Sequence, residues 1–581
     1  NDDVFVTLTA TDANAAEQDS DTGTFQVSRG SETGGDLAVN YSVSGTAAGG
    51  DYSETLSGTV TIADGNTSAD ITITPVDDGD GEFDETVILT LASGTGYTIG
   101  SPDSDTVTIA DNDPFAWWVR PAGGSYGSED GSSYANAFDG LSSVTWSAVD
   151  AGDTLWLSGD FVATADSAMT VGASGSSGSE ITIRGDASTE NTAYADAVWV
   201  AADAFYEDGW TGPDAYGAYS RTYTGSDTMA VEDLDTKLAR EDAAPDGTWT
   251  AGSYYLDDGN DTLYYKPTTG SANDRQFSYA AASTTLDLNG QDYITVRDLT
   301  IRNSYGSDGM VYLSDADHVT IQDCTLEFAK QAVKVVSDSD YGTISGTTVH
   351  DVGKGIFLYA STGAAANDNW TISDNTVYDV DQDYFYSDSS APGIYMETGS
   401  NNLIENNHVY NVAGYGMGVF TYASTAEDPK YVQNNIVRYN YVHDVTDLAE
   451  AGGARWEYGF EMASANSPYQ PDQHTGNEVY GNILANIDGK ALRTKSQEST
   501  AGDTWVFYNN TVYAAGVSWD FNDQPDGNAA FKLHNFLSSG STSHVTHGEQ
   551  GGETYTGVDI DYNLYYEDGA GTFEWVGTTY A

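Results

Sequence analysis

The chain of 581 residues carries 89 acidic side chains against 20 basic ones, a formal net charge of -69 at pH 7. A field of that sign repels nucleic acid and anionic membrane surfaces, which excludes phosphate-tracking functions and predicts no nucleic-acid partner. Charged residues make up only 19% and aromatic ones 12%, with 40 Tyr and 12 Trp, so apolar side chains suffice for a folded core.

No apolar run approaches the ~18 residues of a membrane span, so no membrane insertion is expected. The sequence starts at Asn1 without a basic-then-apolar leader, as in a processed chain, and predicts a secreted or cell-surface protein acting as a monomer. Cys324 is the only cysteine, so an intrachain disulfide and a cysteine-rich zinc site are excluded. An acidic surface rich in Gly, Ser, Thr and Asn suits salty water and predicts a marine or halophilic source.

Residues 1 to about 113 read as short alternating strands, GTFQVSR, DLAVNYSVSG, GTVTIADG, ADITITPV and ETVILTLASG, separated by turns at the spacing of a sandwich. Acidic residues gather in the loops at strand ends, where hard oxygen ligands suit calcium. The runs GTAAGGDYSE, DDGDGEFDE and IADND follow the pattern of the Calx-beta family, which this segment resembles over its whole length. The resemblance implies a β-sandwich with Ca2+ at one end, held by Glu17, Asp51, Asp78, Glu85, Asp111 and Asp113.

From residue 114 to 581 a second domain is expected. WWVRPAGGSYGSEDGSSYANAF and AGDTLWLSGDF read as a cap and first coils, and residues 198 to about 280, rich in Trp and Tyr, as a strand-rich insertion. The segment ending at Ala581 still reads as strand, so the natural chain is expected to continue. Between these limits a repeat appears: NWTISDNTVYDV, NNLIENNHVYNV, NNIVRYNYVHDV, GNEVYGNILANI and TWVFYNNTVYAA, with weaker copies upstream. Two short strands flank an Asn, and Asn375, Asn407, Asn440, Asn482 and Asn510 share one register, predicting an interior ladder in which each amide bonds to the next coil. Cys324 holds the same register and is read as a buried thiol. A third strand follows each copy. Three strands per repeat are what a parallel β-helix requires. From about 290 to 565 the chain resembles the right-handed parallel β-helix superfamily of pectate-lyase-like polysaccharide enzymes, so the expected fold class is all-β, a sandwich plus a right-handed parallel β-helix.

Alternation along the third strands leaves two outward columns. The first holds Lys334, Phe357, Tyr395, Gly418, Glu461, Arg493 and Lys532; the second holds Val336, Tyr359, Glu397, Phe420, Ala463, Lys495 and His534. Aromatics, two Glu and a cationic end replace the Ser, Thr and Asp of a merely solvated face. Long gaps at 360–392, 421–457 and 463–477 are expected to wall a groove. Glu397 and Glu461 are the expected catalytic pair, the absent side chain at Gly418 opening a slot for a sugar ring. Tyr359, Tyr395 and Phe420 offer ring faces to sugars, and Lys334, Arg493, Lys495, Lys532 and His534 bind an anionic ligand. Coils stack at ~4.8 Å, so the two Glu backbones, two coils and one column apart, lie roughly 10 to 12 Å apart. That favours inversion, which needs carboxyls ~6.5 to 9.5 Å apart.

The leading expectation is a glycoside hydrolase that depolymerises an anionic, sulfated or uronate-containing marine polysaccharide. The alternatives are a polysaccharide lyase, with Lys495 or Arg493 as base and His534 or Tyr395 as its partner, and a non-catalytic adhesin or glycan-binding fibre. LRTKS followed by VFYNNTVY is faintly similar to the Lys-Ser strand of chondroitinase-B-like and alginate lyases, but Asp488 and Lys490 stand where that family has paired Glu. His350, His408 and His443 recur near the repeat corner and are read as structural.

Overall fold

The computed structural model describes residues 4–580 except 32, 80, 163, 190, 201–203, 207–208, 224–229, 233–235, 242, 258–259, 261, 276, 280–283, 305–307, 360–365, 382–390, 422–431, 447–456, 465–474, 497–503, 524–529, 540, 542, 548–558, 562–563, 567–571 and 576–577. Two compact units divide it, Asn1–Ala116 and Trp117–Ala581. Among the described residues no helix is long and apolar enough to cross a membrane.

In the first unit Ser68–Ile73, Gly23–Ser28, Phe5–Asp12 and Thr98–Ile99 form one sheet, and Asn14–Ala16, Ser104–Ala110, Glu85–Ala92, Leu37–Gly45 and Thr59–Ile62 the other. Alternation puts Val6, Leu8, Phe25, Val27, Val39, Val87, Leu89 and Val107 into the core. The arrangement is a β-sandwich. Arg29, 3% exposed, donates to the carbonyls of Asn66, Gly35, Thr33 and Ala63, so its burial is matched by fixed dipoles.

The second unit is a parallel β-helix whose coils each contribute to three ladders. One coil consists of Thr371–Ser373, Thr376–Val380 and Pro392–Glu397, pairing in parallel with Leu403–Glu405, His408–Val412 and Tyr415–Thr421 of the next. The third ladder passes directly from Met169–Thr170 to Leu286–Asp287. The strands from Ala204–Tyr206 to Phe277–Tyr279 are therefore an excursion from one coil, and they form two four-stranded sheets. Trp210, Tyr219, Leu238, Tyr254, Leu263 and Tyr265 give that excursion its own core.

Between first and second strands the chain turns sharply at a residue in the left-handed region: Asp323, Gly346, Asp374, Asn406, Tyr439, Gly481, Asn509 and Asn535 all have positive φ. The next residue then faces inward. Asn440 Nδ2 donates to Asn482 Oδ1 at 2.9 Å and to the Ile404 carbonyl at 3.0 Å, while its own Oδ1 accepts from Asn407 N and Nδ2 at 3.0 Å. The same pattern runs from Asn375 to Asn510, and Thr347 and Cys324 extend the column upstream. A second inner column, Asn402, Asn435 and Asn477, repeats these bonds at the corner between third and first strands. Asn440→Ala removes the acceptor of the buried Asn407 donors on one neighbouring coil and a donor to Asn482 Oδ1 on the other, and is expected to cost about 2–4 kcal/mol. A shift in urea midpoint worth under about 1 kcal/mol would show that the ladder is dispensable.

Candidate active site

The third ladder places Lys334, Phe357, Tyr395, Gly418, Glu461, Arg493 and Asp520 in one outward column, and Val336, Tyr359, Glu397, Phe420, Ala463 and Lys495 in the next. The alignment deduced from alternation thus holds from Lys334 to Lys495. It fails one coil later. Lys532 and His534 pair with Val506 and Tyr508 on the first ladder, so they lie on a different wall from Glu397 and Glu461. Their places are taken by Asp520 and Asn522, because Thr511–Asp523 is a continuous strand that carries both the second and third segments of its coil. The side chains of Lys495 and Lys532, and most of the three long gaps expected to wall a groove, lie outside the described residues.

In the strand Ile483–Ser496, Lys490 and Arg493 meet carboxylates. Arg493 Nη1 donates to Glu461 Oε1 from the neighbouring coil, with side chains 9% and 3% exposed. The guanidinium also lies 4.6 Å from the centre of the Tyr458 ring. Lys490 Nζ reaches Asp520 Oδ2 at 2.5 Å. Lys334 lies 3.5 Å from Asp308 and 5.8 Å from the Tyr312 ring centre. The cations expected to bind an anionic ligand are therefore, at Lys334 and Arg493, internal ion pairs, and the neighbouring Lys490 is paired likewise. Tyr458 stands opposite Lys490, and the Lys490 strand shifts register between Ile487 and Lys490, a break that alternation does not show. The recurring Tyr-Gly pairs at 415–416 and 458–459 mark that position in the sequence.

Gly418 does not leave an open slot. A Cβ built there would meet Cε2 of Tyr395 at 2.7 Å and Cδ2 at 2.8 Å, so the Tyr395 ring leans over the glycine. Phe357, Tyr415 and Phe420 surround that ring at 5.6, 5.9 and 6.1 Å between centroids. Burial, then the charges of Glu461, Tyr415 and Glu397, push the Tyr395 phenol well up, with Arg493 opposing. Burial likewise pushes up Tyr458 and Tyr359, the latter also under the charge of Glu397. Glu397 is half-buried and Glu461 is buried.

On the second ladder His350 Nε2 lies 3.1 Å from Glu327 and Nδ1 2.9 Å from Asp351, while Glu327 also bonds Arg302. Burial works against the imidazolium, but both carboxylates outweigh it and hold the pKa at about 9.

At one end of the sandwich two carboxylate triads assemble, Glu17 with Asp111 and Asp113, and Asp51 with Glu82 and Glu85, ligand oxygens within 4.8 Å of one another in each. Glu82 was not among the ligands expected. Its backbone N–H donates to Asp111 at 3.0 Å, which brings it to the site. Asp78 is exposed and acts on Glu17 through its charge. Glu17 is 6% exposed, and its Oε2 accepts no hydrogen bond among the described residues. Such a group fits a bound cation.

Residues 1–113 match the family described as Calx-beta domain, and residues 284–517 that described as right handed beta helix region. Among solved structures, a glycoside hydrolase is similar at 11% identity over 74% of this chain and 96% of its own, with a TM-score of 0.53. A lacto-N-biosidase from Eubacterium ramulus is similar at 10% identity over 77% and 68% of the two chains, TM-score 0.40. An apo-form Calx CBD1 domain is similar at 23% identity over 19% and 99%, TM-score 0.16. At these identities the likeness concerns fold. No curated protein matches the chain. The chain therefore carries a Calx-beta domain at residues 1–113 and a right-handed β-helix region at residues 284–517.

Proposed function

We propose that the protein is a secreted or cell-surface enzyme that depolymerises a polysaccharide by hydrolysis, with Glu397 and Glu461 as its catalytic pair. The strand register carries the reading: both glutamates stand on outward positions of the third ladder, two coils and one column apart. An ion pair favours the anionic form of a carboxylate, so Glu461 against Arg493 suits activation of water. Glu397, half-buried beside Tyr359, suits proton donation to the leaving oxygen. Backbones roughly 10 to 12 Å apart leave room for the intervening water of an inverting reaction. Tyr359, Tyr395 and Phe420 supply ring faces for sugars.

The proposed substrate class is an acidic, sulfated or uronate-bearing marine polysaccharide. Since Lys334 and Arg493 face carboxylates, this part of the proposal rests on the sequence pattern and on the substrate panel that tests it. Elimination is the second reading. It needs a base and a partner; Arg493 is held against Glu461, and His534 lies on the first ladder, away from the third, which supports hydrolysis over lyase chemistry. In the sandwich we propose Ca2+ on the two carboxylate triads, where it would neutralise six clustered acids and order the loops that carry them.

A panel of carrageenans, fucoidans, alginate, chondroitin sulfate and neutral glucans tests the reading. New reducing ends without absorbance from an unsaturated product are the expected result. Both signals together would favour elimination, neither would favour a binding role, and cleavage of neutral glucans alone would remove the acidic substrate.

A further inference from the structure

On the second ladder, not the third, two imidazoles converge. His408–Val412 pairs with Tyr441–Val445 so that His408 stands opposite Tyr441 and Tyr410 opposite His443, making the two histidines diagonal neighbours on adjacent coils. Their Nε2 atoms are 2.8 Å apart. Each ring is clamped by a neighbour: His408 stacks on Tyr441 at 5.2 Å and 9°, His443 on Tyr410 at 5.1 Å and 2°. His443 Nδ1 donates to Asp444 Oδ2 at 2.7 Å, and Asp444 Oδ1 accepts from Asn486 Nδ2 at 3.1 Å. That chain assigns the His443 hydrogen to Nδ1 and leaves the Nε2 lone pair aimed at His408. A carboxylate behind an imidazole is the arrangement that orients histidine ligands and raises their basicity in metal centres. The side chain of His443 is 17% exposed, so the pair is open to small solutes.

We propose that His408 and His443 form a binding site for a borderline divalent transition ion of the zinc, nickel or copper class, with water completing its coordination. Imidazole suits these ions, whereas calcium and magnesium prefer oxygen ligands. Metal–nitrogen bonds of ~2.0–2.1 Å at a tetrahedral angle require Nε2 atoms about 3.3 Å apart, a small opening through side-chain rotation, with the His408 hydrogen moving to Nδ1. The ion would clip together two coils whose third strands carry Gly418 and Glu461.

The test uses the full chain, stripped with chelator and kept in calcium so that the sandwich carboxylates are occupied, then titrated with Cu2+. Wild type is expected to bind one ion whose electron paramagnetic resonance spectrum shows two imidazole nitrogens. His408→Ala and His443→Ala are each expected to weaken binding at least about tenfold, and Asp444→Asn about 10–100-fold. If His443→Ala fails to fold, as read by circular dichroism, the milder His408→Gln is used and must show the same loss. Unchanged affinity in the His408 variants, or a spectrum without imidazole coupling, would leave the pair as a hydrogen bond only and overturn the proposal.

Discussion

Glu397→Gln is expected to reduce turnover by about 10²–10⁴-fold while leaving polysaccharide binding and thermal stability close to wild type. Glu397 is half-buried at the end of its strand, so the amide fits where the carboxyl was. Glu461→Gln is expected to reach a similar loss of turnover, but with a structural penalty. Its partner Arg493 is 8% exposed, and leaving that guanidinium against a neutral group costs about 3–5 kcal/mol. Folding and chemistry separate in the double variant Glu461→Met with Arg493→Met, since replacing a buried ion pair by apolar residues is often neutral or stabilising. That variant should melt near wild type and remain inactive. Initial rates on the best panel substrate, with a binding isotherm for each variant, check this. Turnover within about threefold of wild type in Glu397→Gln would remove Glu397 from the mechanism.

In chelator, the sandwich is expected to lose stability as pH rises, and calcium is expected to restore it. Glu17 and Glu85 are both pushed up from 4.5 to about 7, by burial first. For Glu17 the charges of Asp111, Asp78 and Asp113 add to this; for Glu85 the hydrogen bond and charge of Asp51 do. The folded state therefore keeps protons that the unfolded chain releases above about 4.5, and stability falls as pH rises through about 7. A divalent cation takes over from those protons. At a hundred times its dissociation constant it adds about 2.7 kcal/mol, with the gain largest above pH 7 and vanishing near pH 4.5. Calorimetry of the full chain from pH 4.5 to 8.5, with chelator and with calcium, reads both effects. Glu17→Gln should raise the sandwich transition in chelator at pH 8 and blunt its response to calcium. A calcium response that is independent of pH, or one unchanged in Glu17→Gln, would remove these carboxylates as ligands.

Much of the fold was legible because it rests on local conformation. A left-handed residue followed by an inward Asn makes each corner, and the doublets at Asn406–Asn407 and Asn509–Asn510 betray it. The second inner Asn column was readable from the same grammar, since Asn401–Asn402 and Asn434–Asn435 repeat the doublet at the other corner. An alignment on one Asn per repeat does not reveal it, because the two doublets lie at different corners of the coil. Lys532 and His534 were assigned to the wrong wall for a related reason. Period-two alternation tells inward from outward on every ladder alike, and the corner at Ala514, with φ of 52°, is passed without any loop to mark it.

Composition and period by themselves determined that this is an acidic, all-β chain with a coiled repeat, and which side chains leave the coil, because strand parity and turn dihedrals are properties of a few adjacent residues. The partners of those side chains were decided only by the tertiary structure. Glu461 meets Arg493 across 32 residues, His408 meets His443 across 35, and Tyr395 leans over a glycine one coil away. Such encounters depend on how many residues each coil consumes and on which way a ring turns once its neighbours are in place, and neither quantity is encoded in the alternation of a single strand.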